Sequence, residues 1–182
     1  MPTFLLLFVF SLMTCQTEKA PSIEMLTNTI EQLNDGMEKA YNNGQLQEVA
    51  HFYSDDAHLL GPNGYHQEGR KAIDEYWLKF KSPIRWQLDV IKVAREEASL
   101  YETEYWKSLA NKPTHWNTIS ANIQEEDEVL YQLGHSKLEY EREDATHNTS
   151  HVDFIIVWKK QDNEEYKIFV DTYNSNGPMG FE

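Results

Sequence analysis

The chain has one cysteine, Cys15, and only 16 Lys and Arg against 30 Asp and Glu in 182 residues, a net charge of −14. A single thiol excludes an intrachain disulfide and any cysteine-rich metal centre. The shortage of basic residues leaves no positive stripe for a phosphate backbone, so nucleic acid is not expected as a partner. An acidic surface is also repelled by anionic lipid headgroups, which leaves a covalent lipid anchor as the one expected membrane contact. Long apolar runs are scarce as well. The run at residues 4–10 falls well short of the ~20 residues that span a bilayer. What is present, 40% hydrophobic and 13% aromatic residues, is enough for an ordinary core and excludes global disorder. The length suits one domain with an extension.

Residues 1–15 contain no Lys, Arg, Asp or Glu. Their apolar run fits the central region of a secretory signal. The end of the run, Leu12-Met13-Thr14-Cys15, resembles a bacterial lipobox, in which cleavage precedes a cysteine that is then lipidated. Met13, Thr14 and the lack of a basic residue before the run depart from that pattern. The resemblance implies an exported protein held at the bacterial cell envelope, in the periplasm or at the outer membrane, through Cys15. Residues 16–22 then form a polar tether, in which Pro21 disfavours helix.

From Ser22 onward, Ile23, Leu26, Ile30, Leu33, Met37 and Tyr41 recur at steps of three and four, which predicts an amphipathic helix. Ser22 is placed to cap it and Gly44 to end it. Leu46, Val49, Ala50, Phe52 and Tyr53 suggest a second, shorter helix, and residues 57–60 a strand. Gly61-Pro62-Asn63-Gly64 reads as a turn. Ile73, Tyr76, Trp77 and Phe80 share one face of a third helix that stops before Pro83. The period then becomes two, with Trp86, Leu88 and Val90 alternating against Gln87 and Asp89. Residues 130–140, 152–160 and 166–173 are further strand candidates, and Asp162-Asn163-Glu164-Glu165 joins the last two as a hairpin. Asn148-Thr149-Ser150 reads as a turn. Helices first and long strands after them indicate an α+β fold with an antiparallel sheet.

The segment Phe52-Tyr53-Ser54-Asp55-Asp56-Ala57-His58-Leu59-Leu60-Gly61-Pro62-Asn63-Gly64 leads to Glu68-Gly69-Arg70-Lys71-Ala72-Ile73 and Tyr76-Trp77. Near the carboxyl end stand Val157-Trp158-Lys159-Lys160 and the stretch from Tyr166 to Asn176, and Gly134 interrupts a strand. Together these resemble the nuclear transport factor 2-like superfamily in its SnoaL-like and ketosteroid-isomerase-like branch. The resemblance covers roughly residues 24–94 and 128–176 of a domain spanning 23–176, with an insertion at about 95–127 and a tail at 177–182. It implies a cone, with three helices packed on a strongly curved antiparallel sheet and a pocket at the open end. It also implies positions for an isomerase base, a tyrosine and an oxyanion acid. Those positions hold Gly61, Met37 and Phe154, so the isomerase catalytic set is absent.

The remaining candidates come from strand alternation. Asp153 and Asp171 are acids on otherwise apolar strands, where burial raises a carboxyl pKa. Asp171 is expected on one face with Phe169 and Tyr173. His58 and His66 are expected near the pocket mouth, and Arg70 is expected to pair with Asp55 or Asp56. Trp86, Trp106 and Trp116 are read as core residues. The first functional reading is a binder of a small, largely apolar molecule, with Trp77, Phe154 and Trp158 as walls and Asp153, Asp171, Tyr173 and His58 as polar contacts. The second is a SnoaL-like enzyme, an isomerase, cyclase, dehydratase or hydrolase, with Asp171 or His58 as general base. The third is a dimeric interaction module using Ile155, Val157 and Phe169 on the sheet's outer face. Convergent ionisable groups in the pocket favour the enzyme, and a pocket filled by its own side chains favours the module. No cofactor is expected. His147 and His151 lie on a predicted turn rather than a helix, so no metal site is expected there either.

The anchor is directly testable. Cys15→Ser should abolish incorporation of a palmitate analogue and leave an uncut or soluble precursor, whereas labelling that persists in the variant refutes it.

Overall fold

The computed structural model describes residues 20–96, Ser99, Thr103, 128–142 and 144–175. The expectations for Cys15, Trp106, Trp116 and most of the insertion lie outside these residues. Helix α1 (Ile23–Asn42) starts where Ser22 accepts a hydrogen bond from the Met25 N–H at 3.2 Å. It stops at Gly44, whose φ of +73° is left-handed and costs glycine little. Its buried face carries Leu26, Ile30, Met37 and Tyr41, as the spacing predicts, while Ile23 is exposed. Helix α2 is only Leu46–Ala50. Phe52 and Tyr53, expected to continue it, leave it instead, because the Ile168 N–H donates to the Phe52 carbonyl at 2.8 Å and draws the chain into the sheet.

Strand β1 (Tyr53–Leu60) is followed by a tight turn at Pro62–Gly64, strand β2 (His66–Glu68) and helix α3 (Gly69–Trp77). Then come β3 (Ser82–Ala94), β4 (Val129–Glu141), β5 (His147–Lys160) and β6 (Tyr166–Ser175). The six strands order β2-β1-β6-β5-β4-β3. Neighbours are antiparallel except β1 and β6, which run parallel. Residues 148–150, read as a turn, belong to β5, where Asn148 pairs with Tyr140 and Ser150 with Leu138. The reversal lies earlier. Arg142 and Thr146 close it through the Arg142 N–H to Thr146 carbonyl bond of 2.8 Å, with Ala145 at φ 62°.

Helix α1 crosses the sheet against β3, one of its two edge strands. The Trp86 N–H donates to Asn42 Oδ1 at 2.6 Å, and the Leu88 N–H donates to Glu38 Oε1 at 2.6 Å. Residues 38 and 42 are four apart and therefore on one helix face. They meet alternate outward N–H groups of the edge strand, which would otherwise lie unpaired beside the core. Aromatic rings fill the interior between them. Trp77 and Trp86 have centroids 5.0 Å apart, and Tyr41 meets Trp86 edge-on at 5.7 Å. The Trp86 indole N–H donates to Ser136 Oγ at 2.8 Å, so its burial leaves no donor unpaired.

Two surface expectations change. Arg70 pairs with Asp74, Nη2 to Oδ1 at 2.8 Å, and donates to the carbonyls of Tyr53 and Ala50, tying α3 to the start of β1. Asp55 and Asp56 are exposed and take no part in that pairing. On the sheet's outer face, Ile155, Val157 and Phe169 are 9%, 7% and 4% exposed within the single chain, so they do not meet water as expected.

Gly134 is a packing requirement. It lies opposite Phe154 on β5 and Val90 on β3, and a Cβ there would strike the Phe154 ring and stand 2.7 Å from the Asp89 carbonyl oxygen. Because one obstacle is backbone, relaxation is costly. Gly134→Ala should destabilise by ~1–3 kcal/mol or more. A thermal melt coincident with the parent would refute this packing.

Candidate functional site

The concave side of the sheet and the helices enclose a cavity of about 70 Å³. Its deep walls are buried side chains, among them Met37 from α1, Trp77 from α3, Trp86 from β3 and Phe154 and Ile156 from β5. Toward the mouth the lining becomes partly exposed, with Leu138, Ser150, Val152, Asp171 and Tyr173. This volume exceeds the roughly 10–15 Å³ that one water needs but is below the ~150 Å³ of a cavity that takes benzene.

Asp171 is the one carboxylate among the described lining residues. It accepts a hydrogen bond from the Tyr53 hydroxyl at 2.6 Å, Oδ2 to Oη. Burial pushes its pKa up to about 6, against which the Tyr53 bond pulls down. Tyr53 in turn is held protonated far above its ordinary range, by burial first and by the Asp171 charge second. The Trp77 indole N–H lies near enough to favour charge on Tyr53, yet it is buried without a partner at hydrogen-bond geometry. Tyr173 is pushed up to about 12 by burial, opposed by the hydroxyl of Tyr76. The site therefore combines one acid that titrates near neutrality, three phenols that do not, and one unused indole donor. Among its described lining residues there is no imidazole or thiol.

A bulge places the acid. Val157 of β5 pairs with Val170, but the next residue, Trp158, pairs with Ile168, which leaves Phe169 as the extra residue. Phe169 and Val170 therefore both face outward, packed with Leu60 and Val157, while Ile168 and Asp171 both face the cavity. The expected grouping of Phe169 with Asp171 and Tyr173 fails for this reason, since one inserted residue flips the alternation.

Of the residues singled out in the sequence, the structure brings Trp77, Phe154, Asp171 and Tyr173 together around the cavity. It places three elsewhere. His58 lies on the outer face, edge-on to Phe169 at 5.8 Å. Asp153 points to that side too and is paired with His135, Oδ1 to Nδ1 at 2.6 Å. Its opposition to Phe154 was already implicit in the alternation of β5. Trp158 is fully buried in the core and donates its indole N–H to Gln132 Oε1 at 2.8 Å, so it is no wall of the cavity. Tyr53 and Tyr76 escaped sequence reasoning. Tyr76 was assigned only to a helix face, and Tyr53 was placed on a helix that in fact ends before it.

No family model and no curated protein matches the chain. Solved structures do. A ketosteroid isomerase-like protein from Erwinia carotovora atroseptica superposes with a TM-score of 0.56 at 13% identity, over 83% of this chain and 96% of that one. A cystatin-like-fold domain from Nostoc punctiforme gives 0.51 at 16%, over 84% and 80%. A cystatin-like-fold protein from Caulobacter vibrioides gives 0.51 at 12%, over 84% and 90%. The chain has the nuclear transport factor 2-like fold. At these identities the likeness concerns the fold alone. Within that fold, two of the positions carried over from the isomerase pattern, Met37 and Phe154, line the cavity. The third, Gly61, lies against Tyr173, whose hydroxyl occupies the space a Cβ would need at 2.7 Å. All three are without polar side chains. The acid of this cone is instead on β6, and the phenol that binds it is at the start of β1.

A carboxyl group raised to about 6 in the folded state favours the neutral form there. Its advantage is complete below the unfolded value of ~4 and is lost as pH rises toward 6. Asp171→Asn imitates the neutral acid and keeps an oxygen for Tyr53. The variant should therefore melt above the parent at pH 7.5, with the gap closing by pH 4. A gap of constant size, or an Asn variant that is less stable at pH 7.5, would refute the dry environment assigned to Asp171.

Proposed function

We propose that the cone binds a small, largely apolar molecule whose single polar group is presented to Asp171 and Tyr53. The observation that carries this reading is the Asp171–Tyr53 pair, held at 2.6 Å inside an aromatic cavity beside the unpartnered Trp77 N–H. A buried donor without a partner costs ~1–3 kcal/mol, a cost that a ligand oxygen at that point would recover. The cavity's size supports a compact ligand or one that enters as the rings at the mouth shift. The reading keeps the protein exported and anchored through Cys15.

A second reading is favoured by one specific observation, the placement of Asp171 in the cavity against the Tyr53 hydroxyl, where burial raises its pKa to about 6. A base works best when its pKa lies near the working pH, and a group raised to about 6 is both ionised at pH 7 and able to hold a proton. On this reading Asp171 takes a proton from the bound molecule, the Trp77 N–H donates to the oxygen that gains charge, and the Tyr53 hydroxyl can turn to that oxygen once Asp171 is neutral.

Organic extraction of the purified full chain, followed by mass spectrometry, tests the first reading together with titration of phenols and short ketones followed by nuclear magnetic resonance. A compound should co-extract, or members of the panel should bind with shifts at Trp77 and Tyr173. Asp171→Asn should weaken that binding by ~10-fold or more, the worth of a hydrogen bond to a charged group. An empty extract together with a panel that does not bind overturns the reading. Conversion of a bound compound by the parent, lost in Asp171→Asn while binding persists, selects the acid–base reading.

A further inference from the structure

The outer face of the β1–β2 hairpin carries a cluster that the cavity does not use. We propose that His58, His66 and Glu68 bind one divalent transition-metal ion of the Zn2+ class, with a fourth position open to water or an incoming ligand. One ligand atom from each of the three side chains lies within 4.8 Å of the others. His58 Nδ1 and His66 Nε2 are 3.2 Å apart. A tetrahedral ion with metal–nitrogen bonds of ~2.0–2.1 Å holds its nitrogens ~3.3 Å apart, so the two imidazoles already span one edge of the tetrahedron. Two imidazoles and one carboxylate form a donor set suited to Zn2+ and its neighbours rather than to Mg2+ or Ca2+.

The backbone holds this arrangement. On the antiparallel hairpin, His58 stands directly opposite Glu68, and His66 stands opposite Leu60, two residues along from His58 on the same face. The His58 ring is braced edge-on by Phe169 at 5.8 Å and lies nearly parallel to His66. Glu68 is the N-cap residue of α3, but its side chain makes no capping hydrogen bond, so the carboxylate is not committed to the helix. A change in its side-chain torsions, which needs no backbone movement, would close the remaining distance to a shared ion. His66 and Glu68 are exposed, which gives the ion an entry path and leaves its outer side open. The alternative is an ordinary hydrogen bond between two neutral imidazoles, one donating and one accepting. That alternative assigns no role to Glu68. The sequence pattern is His-x7-His-x-Glu across a turn. The sequence reading expects no metal site, since it weighs His58 and His66 only as residues of the pocket mouth.

The site is separate from the cone. His58 pairs with Val170 and the next residue, Leu59, pairs with Asp171, so ligand cluster and acid occupy opposite faces of neighbouring strands. Failure of the metal proposal leaves the cone reading untouched, and the reverse also holds.

Calorimetric titration of the full chain, free of any polyhistidine tag, with Zn2+ alone should show one saturable site per chain. Co2+ should give the intense visible bands of a four-coordinate ion. Binding should weaken as pH falls, because each imidazole must lose its proton to ligate, and it should raise the melting temperature. His66→Gln and Glu68→Gln alter exposed side chains, so the metal-free variants should melt with the parent. Each should weaken Zn2+ binding by ~10-fold or more, whereas His147→Gln should not. Binding absent up to ~100 µM Zn2+ (a contact worth under roughly 5.5 kcal/mol), equal in His66→Gln and the parent, or lost instead in His147→Gln, overturns the proposal.

Discussion

An open sheet wound into a cone has two edge strands, and here the longer one, β3, ends on a helix. The N–H groups of Trp86 and Leu88 on β3 are taken by Asn42 and Glu38, one helical turn apart on α1. These two bonds do more than satisfy donors. They set the height and rotation of α1, which decides that Met37 and Tyr41 point into the cone rather than along its wall. Glu38 takes part although burial raises its pKa, because the Leu88 N–H it accepts favours the ionised form in return. Tyr41 then donates to the Glu139 carbonyl at 3.2 Å, and its ring meets Trp77, Phe80 and Trp86. One helix thus links β3, β4 and α3 through a single aromatic cluster, and what that cluster leaves unfilled is the cavity.

At the other end of the sheet the controlling feature is a single extra residue. Without the bulge at Phe169, strict alternation from Ile168 would turn Asp171 outward into the apolar cluster around Leu60 and Val157. A carboxylate there would lose the Tyr53 hydroxyl that binds it in the cavity. The bulge therefore converts an apolar strand into one that presents an acid to the interior. It also accounts for the site's electrostatics. Burial beside Ile156 and Ile168 raises the pKa of Asp171, and it remains titratable because Tyr53 supplies one strong donor and no counter-charge.

Much of the fold was legible because its signals are local and periodic. The stripe of α1 and its Ser22 cap, the third helix and the hairpin at residues 162–165 all follow from spacing and turn chemistry. The failures share a physical cause, which is that tertiary partners overrode local preference. Phe52 and Tyr53 fit the pattern of α2 but were captured by β6. Asn148-Thr149-Ser150 has turn composition but lies on a strand paired along its whole length with β4. The site was legible in identity but not in arrangement. Asp171, Tyr173, Trp77 and Phe154 could be named, yet the bulge that orients the acid leaves no mark in composition, and Tyr53 became visible only once the β1–β6 pairing was known.

That parallel β1–β6 pairing also explains why the two candidate sites lie so close and remain distinct. Parallel neighbours keep adjacent residues on opposite faces, so Leu59 beside Asp171 and His58 beside Val170 assign the inner face to the acid and the outer face to the imidazole. The two faces differ in dielectric surroundings. The inner one is closed by α1 and α3 and suits a group that works by being desolvated. The outer one, at the three-residue edge strand β2, keeps His66 and Glu68 in contact with water and suits groups that must shed a proton and admit an ion. A shift of β1 by one residue against β6 would exchange these environments. It would place a histidine in the cone and bury the carboxylate-facing backbone under Phe169, leaving neither chemistry intact. The register of this pair is thus the constraint common to both sites, and Ser54, whose hydroxyl donates to the Ile168 carbonyl at 3.3 Å, is one of the groups that holds it.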